Sequence, residues 1–132
     1  MEEVPTGLPD PGFGVMTPYP LSWATRASGP TVFTAHIPIK PDGELEVGDI
    51  KAQSRQTFRN LRQALEAACA AMADVVHVIV YLTDINDADP MTEVWVAFFE
   101  PPYPNRAALG ITALFDPRLK IEIVATAVLS AD

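Results

Sequence analysis

Cysteine is nearly missing from this chain: its 132 residues hold one, Cys69. An intramolecular disulfide is therefore excluded, as is any CxxC metal or redox motif. Histidine is almost as scarce, with only His36 and His77. Two isolated histidines without a cysteine pair make a poor zinc ligand set, so no metal is expected. Basic residues are outnumbered, 9 Lys and Arg against 17 Asp and Glu, for a formal net charge of −8. A phosphate backbone repels such a chain, and nucleic acid is not an expected partner. Long apolar runs are missing too. The longest strings, such as Val78 to Leu82, fall far short of the roughly 20 residues that span a bilayer. The start, Met1 to Pro5, has neither the basic segment nor the apolar stretch of a secretory signal. The expectation is a cytoplasmic protein with no membrane partner. Ser22 and Ser28 lack GxSxG surroundings, which leaves serine hydrolase chemistry unsupported.

What is present points to a folded domain. Hydrophobic residues make up 48% and charged residues 20%, and a chain of this length buries roughly two thirds of its unfolded surface. Pro5, Pro9 and Pro11 alternate with Gly7, Gly12 and Gly14, so residues 1–16 read as an irregular arm. Residues 17–132 read as one domain, with no internal repeat or linker. Thr31 to Ile37 is rich in β-branched residues and reads as a strand, followed by turn chemistry at Lys40 to Gly43. Phe58, Leu61, Leu65, Ala68 and Met72 then recur at helical spacing, which predicts an amphipathic helix over 49–72. Val75 to Leu82 reads as a second strand. Asp89 and Pro90 resemble an N-cap followed by proline at the first helical position, ahead of the apolar stripe Met91, Val94, Trp95 and Phe98. Pro101 and Pro102 end that helix. Two more strands are expected, 107–115 and 120–129, joined by a turn at Asp116 to Leu119.

This order predicts an α+β fold, a mixed β-sheet with two helices packed on one face. The last strand carries a further signal. Ile121, Ile123, Ala125, Ala127 and Leu129 share one face, and Glu122, Val124, Thr126 and Val128 share the other. A sheet with one face in water alternates apolar with polar; here both faces are mostly apolar. Two helices cover only one of them, and a second copy of the chain is the economical cover for the other.

The C-terminal half also carries a family likeness. Tyr103-Pro-Asn-Arg106 followed by Ile121-Glu-Ile-Val-Ala125 resembles the RidA/YjgF family of enamine/imine deaminases. Gln53, Gln56, Asn60 and Leu61, then Val80 to Asp84, then Trp95, Phe98 and Phe99 extend the resemblance. Pro18-Tyr19 and Thr34 to Pro38 match the early blocks, so it covers about residues 17–129. The resemblance implies a chorismate-mutase-like fold and a homotrimer whose sheets line a central barrel, with three sites in clefts between subunits. It implies no cofactor, because an activated imine is already electrophilic. It implies that Arg106 grips a small-molecule carboxylate and that Glu122 presents the hydrolytic water, with the backbone at Ala108 and the ring of Tyr19 lining the cleft. Thr34, His36 and Thr92 occupy further lining positions, where members often carry serine, glutamine and asparagine. Ala107 and Ala108 stand where many members have a small polar residue and cysteine. The changed lining points towards a larger or less polar acid, including an aminomuconate-type enamine.

The chemistry suits these roles. A guanidinium offers a planar fork that matches a carboxylate, and a carboxylate beside a C=N bond can orient water and take its proton. The residues also admit simpler readings. Arg106 can be half of a salt bridge, and Glu122 a structural ion pair at a subunit contact. His36 and His77 can be hydrogen-bonded structural histidines, and Tyr19 a packing residue. A trimer that binds small carboxylates without turnover is the competing function. In the trimer, Tyr19 and Arg106 are expected near different ends of the sheet, meeting across a subunit boundary.

Overall fold

The structure is a computed structural model that describes residues 19–129; the arm expected over 1–16 lies outside them. Six main elements follow in order: β1 (Thr31–His36), α1 (Ile50–Ala67), β2 (Val75–Leu82), α2 (Ala88–Phe98), β3 (Asn105–Gly110) and β4 (Ile121–Val128). They form one mixed sheet in the order β1-β4-β2-β3. β4 pairs antiparallel with both β1 and β2, and β3 pairs parallel with β2. The parallel pair is joined by α2, as a same-sense crossover requires.

α1 starts where the sequence signals it. Asp49 Oδ1 accepts a hydrogen bond from Ala52 N at 2.9 Å, satisfying one of the free N–H groups of the first turn. Its end is earlier than the apolar spacing predicts. Cys69 takes φ 63°, Ala70 N bonds to Leu65 O at 2.7 Å and Cys69 N to Glu66 O at 3.0 Å. This left-handed C-cap usually uses glycine. Here cysteine occupies it, so the helix stops at Ala67 and Met72 falls in a short 3-10 turn, Met72–Asp74. α2 begins at Ala88, after a 3-10 turn whose Asp84 Oδ1 accepts from Asn86 N at 2.9 Å. Pro90 is thus the third helical residue and Asp89 the second. Proline is tolerated there because first-turn N–H groups have no intrahelical partner.

The two strands expected at 107–115 and 120–129 are shorter, and β2 lies between them. Residues 111–120 form an irregular connection ending in the Asp116 turn, closed by Leu119 N to Asp116 O at 3.0 Å. β3 ends at Gly110 where the chain runs close to Ile85; a Cβ at Gly110 would sit 3.2 Å from the Ile85 Cβ.

Both helices pack on one face of the sheet. Phe58 is the centre of the core, with Trp95, Phe98 and Phe99 rings 5.6 to 6.0 Å away. Val78, Val80, Ile121, Ile123, Ala125 and Ala127 supply the sheet's side of that core, all buried. The other face is open in the single chain: Phe33 is 79% exposed and Val124 38%. The two-sided apolar character of β4 therefore leaves one covered face and one uncovered apolar face, as its sequence indicates. No helix among the described residues is long and apolar enough to cross a membrane.

Candidate functional site

Register decides which face each candidate occupies, because directly paired residues point the same way. Arg106 pairs with Val78, which pairs with Ala125. Both partners are core residues, so Arg106 and Ala108 lie on the helix-covered face, half-buried. The Arg106 guanidinium carbon sits 4.8 Å from the Trp95 ring centroid. Its Nε and Nη1 are buried and make no hydrogen bond. Burial pulls the guanidinium pKa below its usual value, yet the group stays cationic at neutral pH. Two buried donors of a cation left without partners are costly, and each belongs to a different planar edge of the guanidinium, either of which fits a carboxylate. Among the described residues, no salt bridge with a neighbouring acid takes up this arginine.

Trp95 joins a second element to this corner. Its Nε1 donates to Pro20 O at 2.8 Å, and its ring stacks on Phe99 with centroids 4.0 Å apart. The segment 19–23 straps the entry to β3, bridging it at Ser22 and Asn105. Ser22 N bonds to Pro104 O at 3.0 Å, and the Ser22 hydroxyl donates to the Tyr103 carbonyl. Asn105 Nδ2 donates to the carbonyls of Ser22 and Trp23, each at 3.1 Å. Its Oδ1 must then accept from His77 Nδ1, 2.7 Å away, which fixes the histidine tautomer. His77 is thus a structural histidine. Tyr19, 60% exposed, begins the strap, and so lies on the β3 side of its own chain together with Arg106. The two are not at separate ends of the sheet. Thr92 is half-buried on α2, one turn before Trp95.

Glu122 lies elsewhere. It pairs with Tyr81 on β2, opposite in phase to the core residues Ile121 and Ile123, and so faces the open side. Arg106 and Glu122 are on opposite faces of one sheet, with β2 between their strands. Thr34 and His36 face the helices from β1, at the far edge from β3. Three strand spacings, roughly 14 Å, separate those edges. Thr34 Oγ1 and His36 Nε2 are buried without partners, and burial lowers the His36 pKa from 6.5. His36 borders a cleft of about 420 Å³ between β1 and α1, lined also by Lys40, Asn60 and Ala64. The chain thus sets Arg106, Ala108 and the strap that starts at Tyr19 on the β3 side of the helix-covered face, and leaves Glu122, Thr34 and His36 away from it.

Two contributors escaped the sequence reading. Trp95 reads as part of an apolar stripe, yet it carries the guanidinium; a buried indole needs an acceptor for its N–H, and that need was the available signal. Gln53 is completely buried and anchors the chain entering β4. Its Nε2 donates to Arg118 O at 2.9 Å and its Oε1 accepts from Lys120 N at 2.8 Å, two residues before Glu122.

Known proteins resemble this chain in sequence and in fold. A family model described as Endoribonuclease L-PSP matches residues 15–129. A RutC family protein of Pyrococcus horikoshii is 40% identical over 108 residues, 80% of this chain and 86% of that protein. A human protein named 2-iminobutanoate/2-iminopropanoate deaminase is 32% identical over 114 residues, 85% of this chain and 82% of its own. The crystal structure of RidA from an Antarctic Psychrobacter superposes with a TM-score of 0.72 at 32% identity, covering 98% of this chain and 100% of the other.

Proposed function

The chain belongs to the RidA/YjgF family, and from that premise we propose that it hydrolyses reactive enamine or imine carboxylates to 2-oxo acids with release of ammonia. The observation that carries this reading is Arg106: half-buried, lying over the Trp95 ring, with its buried Nε and Nη1 unpaired. The guanidinium takes the carboxylate. Glu122 orients a water beside the C=N carbon and accepts its proton. The water oxygen bonds to that carbon as the C=N π pair moves to nitrogen, which takes the proton from Glu122. The hydroxyl proton of the resulting carbinolamine then passes to the amine, the C=O bond forms and the C–N bond breaks, leaving a 2-oxo acid and ammonia. No cofactor enters this scheme.

The placement of the two residues supports a site built by more than one copy. In a 2-imino acid the carboxylate carbon and the imine carbon are directly bonded, so both side chains must reach one small molecule. Within a chain the sheet stands between them. A neighbouring copy that presents its open face, and so its Glu122, to the Arg106 corner removes the obstacle. It also covers Phe33 and Val124, which soluble proteins rarely leave as part of a large apolar patch. Such an interface is heterologous and closes into a ring; the family likeness selects a homotrimer.

Ala108, on the same face as Arg106, favours a larger or less polar acid over the smallest enamines. The description Endoribonuclease L-PSP belongs to the family model; the net charge of −8 argues against a polynucleotide substrate here. The test is ammonia release from imines generated in situ by an amino-acid oxidase, over a panel of amino acids. The reading predicts ammonia release well above the no-protein rate for at least one imine, with bulkier apolar side chains preferred, and its abolition by Arg106→Ala. Release unchanged by Arg106→Ala, or no release above the no-protein rate from any imine, refutes it.

A further inference from the structure

We infer that Trp95 is the positioning residue for Arg106: its ring face sets the plane of the guanidinium fork, and its Nε1–H bond to Pro20 sets the rotation of the ring. The inference rests on the reading of Arg106 as the carboxylate ligand. It goes beyond that reading by assigning the fork's orientation to one indole.

The geometry begins with a long, flexible side chain at the edge of a sheet. An arginine there has four rotatable bonds, and each adds freedom that binding must remove. Two-point recognition of a carboxylate needs the fork held in one plane. Among the described residues no hydrogen bond holds Nε or Nη1 in place. The indole lies under the guanidinium, its ring centroid 4.8 Å from the guanidinium carbon. A planar cation stacked on an aromatic face keeps its N–H edges free to point sideways at a ligand, which a salt bridge would occupy.

The ring itself is locked. Trp95 is completely buried, stacks on Phe99 at 4.0 Å and leans on Phe58 at 5.9 Å. Its one polar atom is tied to Pro20 O at 2.8 Å. Pro20 belongs to the strap that Ser22 and Asn105 fasten to β3, and Asn105 directly precedes Arg106. The guanidinium is thus fixed at both ends, by its own strand and by a ring bonded to the strap.

The test compares Trp95→Phe, which keeps an aromatic face and loses the N–H, with Trp95→Leu, which loses both. Each is made in the natural chain and in an Arg106→Lys background, which retains the charge but has no planar fork to orient. Binding of 2-oxobutanoate and the bulkier 2-oxo-4-methylpentanoate is read by ligand-observed NMR, and turnover by ammonia release. In the natural chain we expect binding weaker by about tenfold for Trp95→Leu and about threefold for Trp95→Phe, with the loss falling mainly on KM. In the Arg106→Lys background both substitutions should change binding by less than about twofold. The same fold-loss in both backgrounds makes Trp95 a general core residue and overturns the inference, as does unchanged binding in a folded Trp95→Phe or Trp95→Leu protein. If the natural chain binds 2-oxo acids but releases no ammonia, the deaminase reading falls and the binding comparison still decides this one. If it binds neither acid, both fall.

Discussion

Replacing Gln53 by alanine should unfold the start of β4 more easily than any surface change. The side chain is fully buried in α1 and closes two bonds to the incoming chain, Nε2 to Arg118 O at 2.9 Å and Lys120 N to Oε1 at 2.8 Å, with a longer third to Gly48 O at 3.3 Å. Alanine leaves the Arg118 carbonyl and the Lys120 amide without these partners. An unsatisfied group costs about 1–3 kcal/mol when fully dry. Both groups belong to a half-exposed turn, so the lower end applies to each, and a small cavity adds to the total. The sum is a loss of about 2–4 kcal/mol. Urea unfolding followed by far-UV circular dichroism, at one protein concentration, measures it. Gln53→Glu provides a second arm. Its shape is retained, but an ionised carboxylate faces the Arg118 carbonyl, whereas the protonated acid can donate to it. Burial should raise the folded pKa above the unfolded value of about 4.3. The penalty relative to wild type is then full at neutral pH and shrinks as pH falls towards that unfolded value. A loss below 1 kcal/mol for alanine, or a glutamate penalty that ignores pH, would refute the anchoring argument.

Two further outcomes follow from the site. Glu122→Gln keeps the shape and removes the base, so kcat should fall by about 10²–10⁴-fold with KM little changed, while oxo-acid binding persists; normal turnover at saturation with weakened binding would reverse the roles of Glu122 and Arg106. Burial lowers the His36 pKa below 6.5, so the unfolded chain binds the extra proton first as pH drops. The His36 contribution to stability is complete above about pH 6.5 and is lost as pH falls below it. His36→Gln should therefore flatten the difference in thermal midpoint between about pH 7.5 and 5.5, and an unchanged slope would show that His36 does not carry it.

Legibility from sequence followed locality. β2 was readable to its ends because Val75 to Leu82 is β-branched and apolar but for His77, and Thr83-Asp84 follows it. The start of α1 was readable because Asp49 caps it with its own side chain. Its end was not, because a cysteine occupies the left-handed position usually marked by glycine, and the apolar spacing continues through Met72 as though no break occurred. The uncovered face of the sheet was readable in β4 alone. That Arg106 and Glu122 face opposite sides was not: their phase is set through β2, by the pairings of Arg106 with Val78 and of Glu122 with Tyr81. Register between distant strands leaves no local mark. The arginine and glutamate were found through the motif around them, whereas the tryptophan that holds the arginine looked like any other core residue.

The central claim is that one site takes Arg106 from one copy and Glu122 from the next. Arg106→Ala and Glu122→Gln chains, each inactive alone, can be co-refolded in equal amounts and assayed for ammonia release. In a randomly mixed ring, an intact site needs a Glu122→Gln chain supplying the arginine beside an Arg106→Ala chain supplying the glutamate. About one quarter of the sites should meet that condition. The account predicts recovery of about one quarter of wild-type activity. Mixed oligomers that form and remain as inactive as their parents would contradict it.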